Sequence, residues 1–167
     1  MIVNNVTRML DAARVRYHLF ELPAEKISAV DTAVILSISP EIVYKTIVVL
    51  PVKGKPVLCI VSATQSVDLK KVASALAEKK VRIASQAEAE KLTGLQTGGI
   101  SPLALLNKGF KMMVDSSVTQ YENIHISGGQ RGLNVRINVE DLLNLIHPTI
   151  AVISTPLEQD CSQISTN

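Results

Sequence analysis

Tyr44-Lys45-Thr46-Ile47-Val48-Val49-Leu50-Pro51-Val52-Lys53-Gly54-Lys55-Pro56-Val57-Leu58-Cys59-Ile60-Val61 decides the fold class. Both flanks are rich in β-branched and aliphatic residues, and the Pro- and Gly-containing centre reads as a turn. The segment therefore predicts an antiparallel hairpin, Tyr44 to Leu50 with Val57 to Val61. A hairpin argues against a purely parallel, doubly wound sheet.

Outward from the hairpin, helical and strand patterns interleave. Val6, Met9, Leu10 and Ala13 share a helical face within residues 4 to 14, and Arg16 to Glu21 has short β character. Ser28 can cap a small apolar helix running to Leu36. Asp68 can cap a helix carrying Leu69, Val72, Ala73 and Leu76. Ser85 and Glu88 have capping-box spacing for another, which stops near Gly94. Strands are expected at Phe110 to Val114, Glu122 to Ile126 and Leu133 to Val139. Asn138 caps a last helix with Leu142, Leu143 and Ile146, and Ile150 to Ile153 is a final strand. The expectation is one α+β domain, residues 1 to 154, around a mixed, strongly curved sheet, followed by a polar tail at 155 to 167.

The 167 residues suit a single core, and 47% hydrophobic against 19% charged residues excludes a disordered chain. Aromatics are only 3% and Trp is absent, so single-strand binding by base stacking is disfavoured. A net charge of +2 is too small for a general nucleic-acid binder, and any RNA contact must be local. Cys59 lies in an apolar run and Cys161 in the polar tail, without metal-ligand spacing. No cofactor is expected. The N-terminus does not read as a leader and no apolar run has membrane-spanning length, so the expected address is the cytoplasm, with no membrane contact.

Three segments could carry chemistry. Tyr44-Lys45-Thr46 begins an apolar strand, where a charge is expensive to bury unless it is paired or faces a cleft. Alternation puts Lys45 on the face opposite Tyr44 and Thr46. Gly98-Gly99-Ile100-Ser101-Pro102 could aim backbone N–H groups at a carbonyl or phosphate oxygen. Ser127-Gly128-Gly129-Gln130-Arg131-Gly132 resembles a hairpin loop. Alone, each has an ordinary explanation: a solvated lysine at a strand end, and two turns. His18, His125 and His147 lie in unrelated contexts, and no nucleophile, histidine and acid set can be assembled.

Taken in order, these segments resemble the YbaK/EbsC family of YbaK/prolyl-tRNA-synthetase-associated editing domains. The matching positions are Ser39 to Thr46, Thr93 to Pro102, Asp115 and Ser127 to Leu133, and the similarity extends over most of residues 1 to 153. The resemblance implies a curved, barrel-like α+β fold and metal-independent hydrolysis of an aminoacyl ester on the CCA end of tRNA. It implies that Lys45 holds that end or orients the ester, as a compact cation with three donors can. Gly98 and Gly99 would approach the aminoacyl group and supply oxyanion donors, and Ser127 would act within the pocket. Tyr44, Thr46, Ile100, Ser101 and Asn134 complete the implied substrate-binding set.

An activated ester needs no strong protein base when water or a substrate hydroxyl or thiol attacks. The implied substrate is tRNA(Pro) carrying a small wrong amino acid, as for Cys-tRNA(Pro) and Ala-tRNA(Pro) deacylases, and prolyl-tRNA synthetase is the implied protein partner. Asn134 and Gln130 stand where the family's YbaK branch commonly has Asp and Lys. Leu22, Ile27 and Ser28 replace aromatics of that branch. Asn cannot serve as a carboxylate base, so the resemblance carries editing further than it carries Cys-tRNA(Pro) specificity. Two other readings stay open: a noncatalytic tRNA-, nucleotide- or protein-binding module on the same fold, and a regulatory ligand-binding domain without RNA contact.

Overall fold

The computed structural model describes residues 2 to 157. The expected hairpin is present: β2 (Tyr44–Pro51) pairs antiparallel with β3 (Val57–Ser62), with Lys45 opposite Val61 and Ile47 opposite Cys59. On its other edge β2 takes β5 (Val81–Ile83) antiparallel. β3 continues in parallel to β6 (Lys111–Asp115), and β6 to β9 (Thr149–Ala151), giving the order β5-β2-β3-β6-β9. A second, antiparallel sheet contains β1 (Tyr17–Glu21), β8 (Leu133–Asn138) and β7 (Asn123–Ser127) in the order β1-β8-β7. A small ribbon joins β4 (Gln65–Val67) to β10 (Ser154–Pro156).

The five-stranded sheet is mixed, as expected, but the strongly curved, barrel-like closure is not formed. Closure requires a ladder that continues from one sheet edge to the other. Among the described residues the backbones of the two larger sheets are joined by one isolated parallel bridge, between Val43 and His125, and by no continuous ladder. Val43 follows a 3-10 turn over Pro40–Ile42, whose first residue has no N–H to extend a ladder.

The helices begin where side-chain caps allow. α1 (Asn5–Ala12) is capped by Asn4, α2 (Ala29–Leu36) by Ser28, α3 (Leu69–Ala75) by Asp68, α4 (Gln86–Thr93) by Ser85 and α5 (Val139–Ile146) by Asn138. Ser85 and Glu88 form the expected capping box, and Gly94 ends α4 in the left-handed region at φ +70°. Among the described residues no helix is long and apolar enough to cross a membrane.

The main core packs Val6 and Leu10 of α1 and Leu142 and Ile146 of α5 with Ile124, Ile126, Val135 and Ile137 from the inner face of the three-stranded sheet. β3 is buried on both faces. Val57, Cys59 and Val61 meet Val72 and Ala73 of α3, whereas Ile60 belongs to the main core and Leu58 packs with Ile100 and Leu105. Burial pushes the Cys59 thiol up to about 12 and leaves it a small apolar filler. The domain is α+β. Thr155 and Pro156, expected in the polar tail, pair in β10, and Leu157 follows them. The rest of that tail, Cys161 included, lies outside the described residues.

Candidate active site

The cleft lies near the seam between the two larger sheets. It encloses about 510 Å³ and is lined by Leu22 and residues 25 to 32, the start of β2, Thr97, Gly98 and Ile100, and the end of the β7–β8 hairpin. Of the nine residues selected from sequence, Tyr44, Lys45, Thr46, Gly98, Ile100, Ser127 and Asn134 line this one cleft. They come from three segments that the topology brings together.

Lys45 is half-buried, and burial alone pulls its pKa below the ordinary lysine value of 10.5. Among the described residues no carboxylate lies within ion-pair distance of it and no acceptor takes its protons. A cation kept in a partly desolvated place without a protein partner is suited to an anionic or oxygen-rich ligand. Tyr44 differs. Its ring is in the main core and its hydroxyl bonds Ser117 Oγ at 2.8 Å, with burial raising its pKa to about 12.

The other side of the cleft is set by β7 and β8. Ser127 and Asn134 are cross-strand partners, and Ser127 Oγ accepts from the Gly129 N–H at 3.3 Å. Asn134 Oδ1 lies 2.8 Å from Nδ1 of buried His125. Burial pushes the His125 pKa down, the Asn134 hydrogen bond opposes this, and Arg136 adds to the lowering, so the ring is neutral near pH 7. A neutral imidazole bonded through Nδ1 to a carbonyl oxygen donates there. With Oδ1 so engaged, Asn134 keeps its amide NH₂ as its remaining donor group. The sequence offered no signal for this pairing, because His125 and Asn134 lie on adjacent strands, diagonal to one another across the ladder.

Gly99 and Ser101 are not brought to the cleft wall. The Gly99 N–H donates to the Gln96 carbonyl at 2.8 Å. A Cβ at Gly99 would stand 2.8 Å from backbone atoms of Gln130 and Arg131, so this glycine permits contact between the two loops. Ser101 is fully buried, and its Oγ accepts from the Leu103 N–H at 3.3 Å, starting the 3-10 turn Pro102–Leu105. Asp115 braces the end of β6 by accepting from the N–H groups of Ile153 at 3.0 Å and Ser117 at 3.2 Å. Burial alone would raise its pKa, and these hydrogen bonds more than offset that, holding it below the ordinary carboxylate value.

The family model for the aminoacyl-tRNA editing domain matches residues 24–145, a span that contains Lys45, both Gly-rich loops and the whole seam. The chain belongs to the aminoacyl-tRNA editing domain family. It is 32% identical over 153 residues to EbsC of Enterococcus faecalis, named as a candidate Cys-tRNA(Pro)/Cys-tRNA(Cys) deacylase, covering 90% of this chain and 93% of that one. Two crystal structures share the fold of this editing domain. One is the hypothetical protein APE2540, with TM-score 0.84 and 20% identity over 91% of this chain and 100% of that one. The other is a candidate trans-editing enzyme for prolyl-tRNA synthetase, with TM-score 0.77 and 24% identity over 93% of this chain and 99% of that one.

Proposed function

We propose that this editing domain is an aminoacyl-tRNA deacylase acting on mischarged tRNA, with tRNA(Pro) carrying a small wrong amino acid as its substrate. The observation that carries this reading is the half-buried Lys45 ammonium, without a protein anion among the described residues, on the same cleft as Gly98, Ser127 and Asn134. Lys45 anchors a phosphate or ribose oxygen of the CCA end and so fixes the ester in the cleft. The Gly98 N–H receives the charge that develops on the carbonyl oxygen. Asn134 donates to substrate oxygen, and Ser127 hydrogen-bonds within the pocket.

A water, or a hydroxyl or thiol of the substrate, adds to the ester carbonyl carbon. The bond to the ribose oxygen then breaks, and that oxygen takes up the proton released by the nucleophile. This route needs no protein nucleophile and no metal. The cleft wall supplied by Leu22, Ile27, Ala29, Val43 and Ala63 favours a small apolar side chain. Selecting by small apolar differences is the task that synthetases leave to a second site. The names of EbsC and of the structural relative support tRNA(Pro) as substrate and prolyl-tRNA synthetase as the partner whose errors are removed.

Deacylation of a panel of correctly charged and mischarged tRNAs tests the reading. The expected outcome is hydrolysis above the uncatalysed rate for at least one mischarged species, tRNA(Pro) carrying a small wrong amino acid foremost. Binding of tRNA with no hydrolysis of any member would replace the enzyme by a noncatalytic binding module, the reading that Asn134 and Gln130 favour.

A further inference from the structure

The carbonyl and N–H of one trans peptide unit point in opposite directions. At the unit joining Thr97 to Gly98, Arg131 Nε–H donates to the Thr97 carbonyl at 2.8 Å. The Gly98 N–H of the same unit therefore points away from Arg131. Gly98 lines the cleft, and among the described residues no protein acceptor takes this N–H.

On the other side of Thr97, its own N–H donates to Glu90 Oε1 at 3.0 Å, and Arg131 Nη2 lies 4.0 Å from that same oxygen. Glu90 is held below the ordinary carboxylate range, first by the Thr97 N–H, then by Gln86, with Arg131 adding to the lowering. Thr97 is thus gripped at both of its peptide units. The residue that follows has φ +93°, so little in the glycine itself holds this orientation. Neither Glu90 nor Arg131 lines the cleft.

We propose that Arg131 and Glu90 are positioning residues, a clamp on Thr97 that holds the Gly98 N–H toward the ester as the oxyanion donor. The proposal rests on the deacylase reading above. It competes with a simpler role for Arg131, at the tip of the β7–β8 hairpin, as a phosphate contact.

The two roles separate in kinetics. Loss of a donor that acts only in the transition state lowers kcat and leaves KM, whereas loss of a phosphate contact raises KM and makes binding less sensitive to salt. Arg131→Ala and Glu90→Ala are each expected to lower kcat about 10- to 100-fold with KM within about twofold. The Gly98 amide is expected to show the heteronuclear NOE of an ordered backbone in the wild type and to lose it in either variant. A rise in KM with kcat preserved and a shallower salt dependence for Arg131→Ala would overturn the clamp in favour of phosphate binding. If Arg131→Ala does not fold, Glu90→Ala reads the same clamp without touching the hairpin. If the wild type hydrolyses no charged tRNA, the deacylase reading fails and the NOE still decides: an unchanged Gly98 signal overturns the clamp, and a lost one leaves it as a structural device.

Discussion

Lys45 was legible as a position and not as a role. Sequence alternation put a charge at the head of an apolar strand, a place with an ordinary solvated explanation. What the fold adds is half-burial and the lack of a carboxylate partner among the described residues. Desolvation puts its folded pKa below the unfolded one, so across that interval the unfolded chain binds more protons. This group's contribution to stability therefore rises with pH. Its charge behaves oppositely, being lost as pH rises, and sooner than for an ordinary lysine of pKa 10.5. Binding of a nonhydrolysable aminoacyl-adenosine analogue that keeps its 5′-phosphate is expected to weaken as pH rises from neutral into that alkaline interval. Lys45→Arg, which stays protonated, should bind with a flat profile there. A flat wild-type profile would contradict the anchor. Gly99 teaches a different lesson: the sequence marks a glycine, but only the approach of Gln130 and Arg131 tells that it serves packing.

Helix starts were legible because a cap is a local event. Ser28, Asp68, Ser85 and Asn138 each accept from the N–H three residues on, which needs nothing from the rest of the chain. The three-residue strands β4, β5 and β10 were not legible, since so short a segment is defined by its ladder partner and carries no period of its own. The missing barrel closure has the same cause: patterning locates strands and leaves open which sheet edges join. Asn4 links the two levels. Its Oδ1 accepts from Thr7 N–H at 3.0 Å as the cap of α1, and its Nδ2 donates to the Gly128 carbonyl at 2.9 Å in the β7–β8 hairpin. Asn4→Ala is expected to cost about 1–2 kcal/mol by chemical denaturation. Asn4→Asp retains the cap but loses the Gly128 contact, so its cost should be smaller and come from the hairpin. Equal costs for the two variants would show that the cap contributes nothing beyond the hairpin tie.

At the scale of the molecule, the cleft exists because a mixed sheet and an antiparallel sheet meet at Val43 and His125 without merging. Three segments distant in sequence, around residues 45 and 98 and at the two ends of the 127–134 hairpin, converge on that seam. Their order in the chain was readable as a family resemblance, and their convergence was not, because it depends on the parallel crossovers from β3 to β6 and on to β9. The central claim is that this cleft breaks an aminoacyl ester that Lys45 holds in place. Single-turnover deacylation of the fastest-hydrolysed mischarged tRNA, by wild type and by Lys45→Ala, tests it most directly. The account predicts a rate about 100-fold lower for the variant with its fold intact. Equal rates for the two proteins would contradict it.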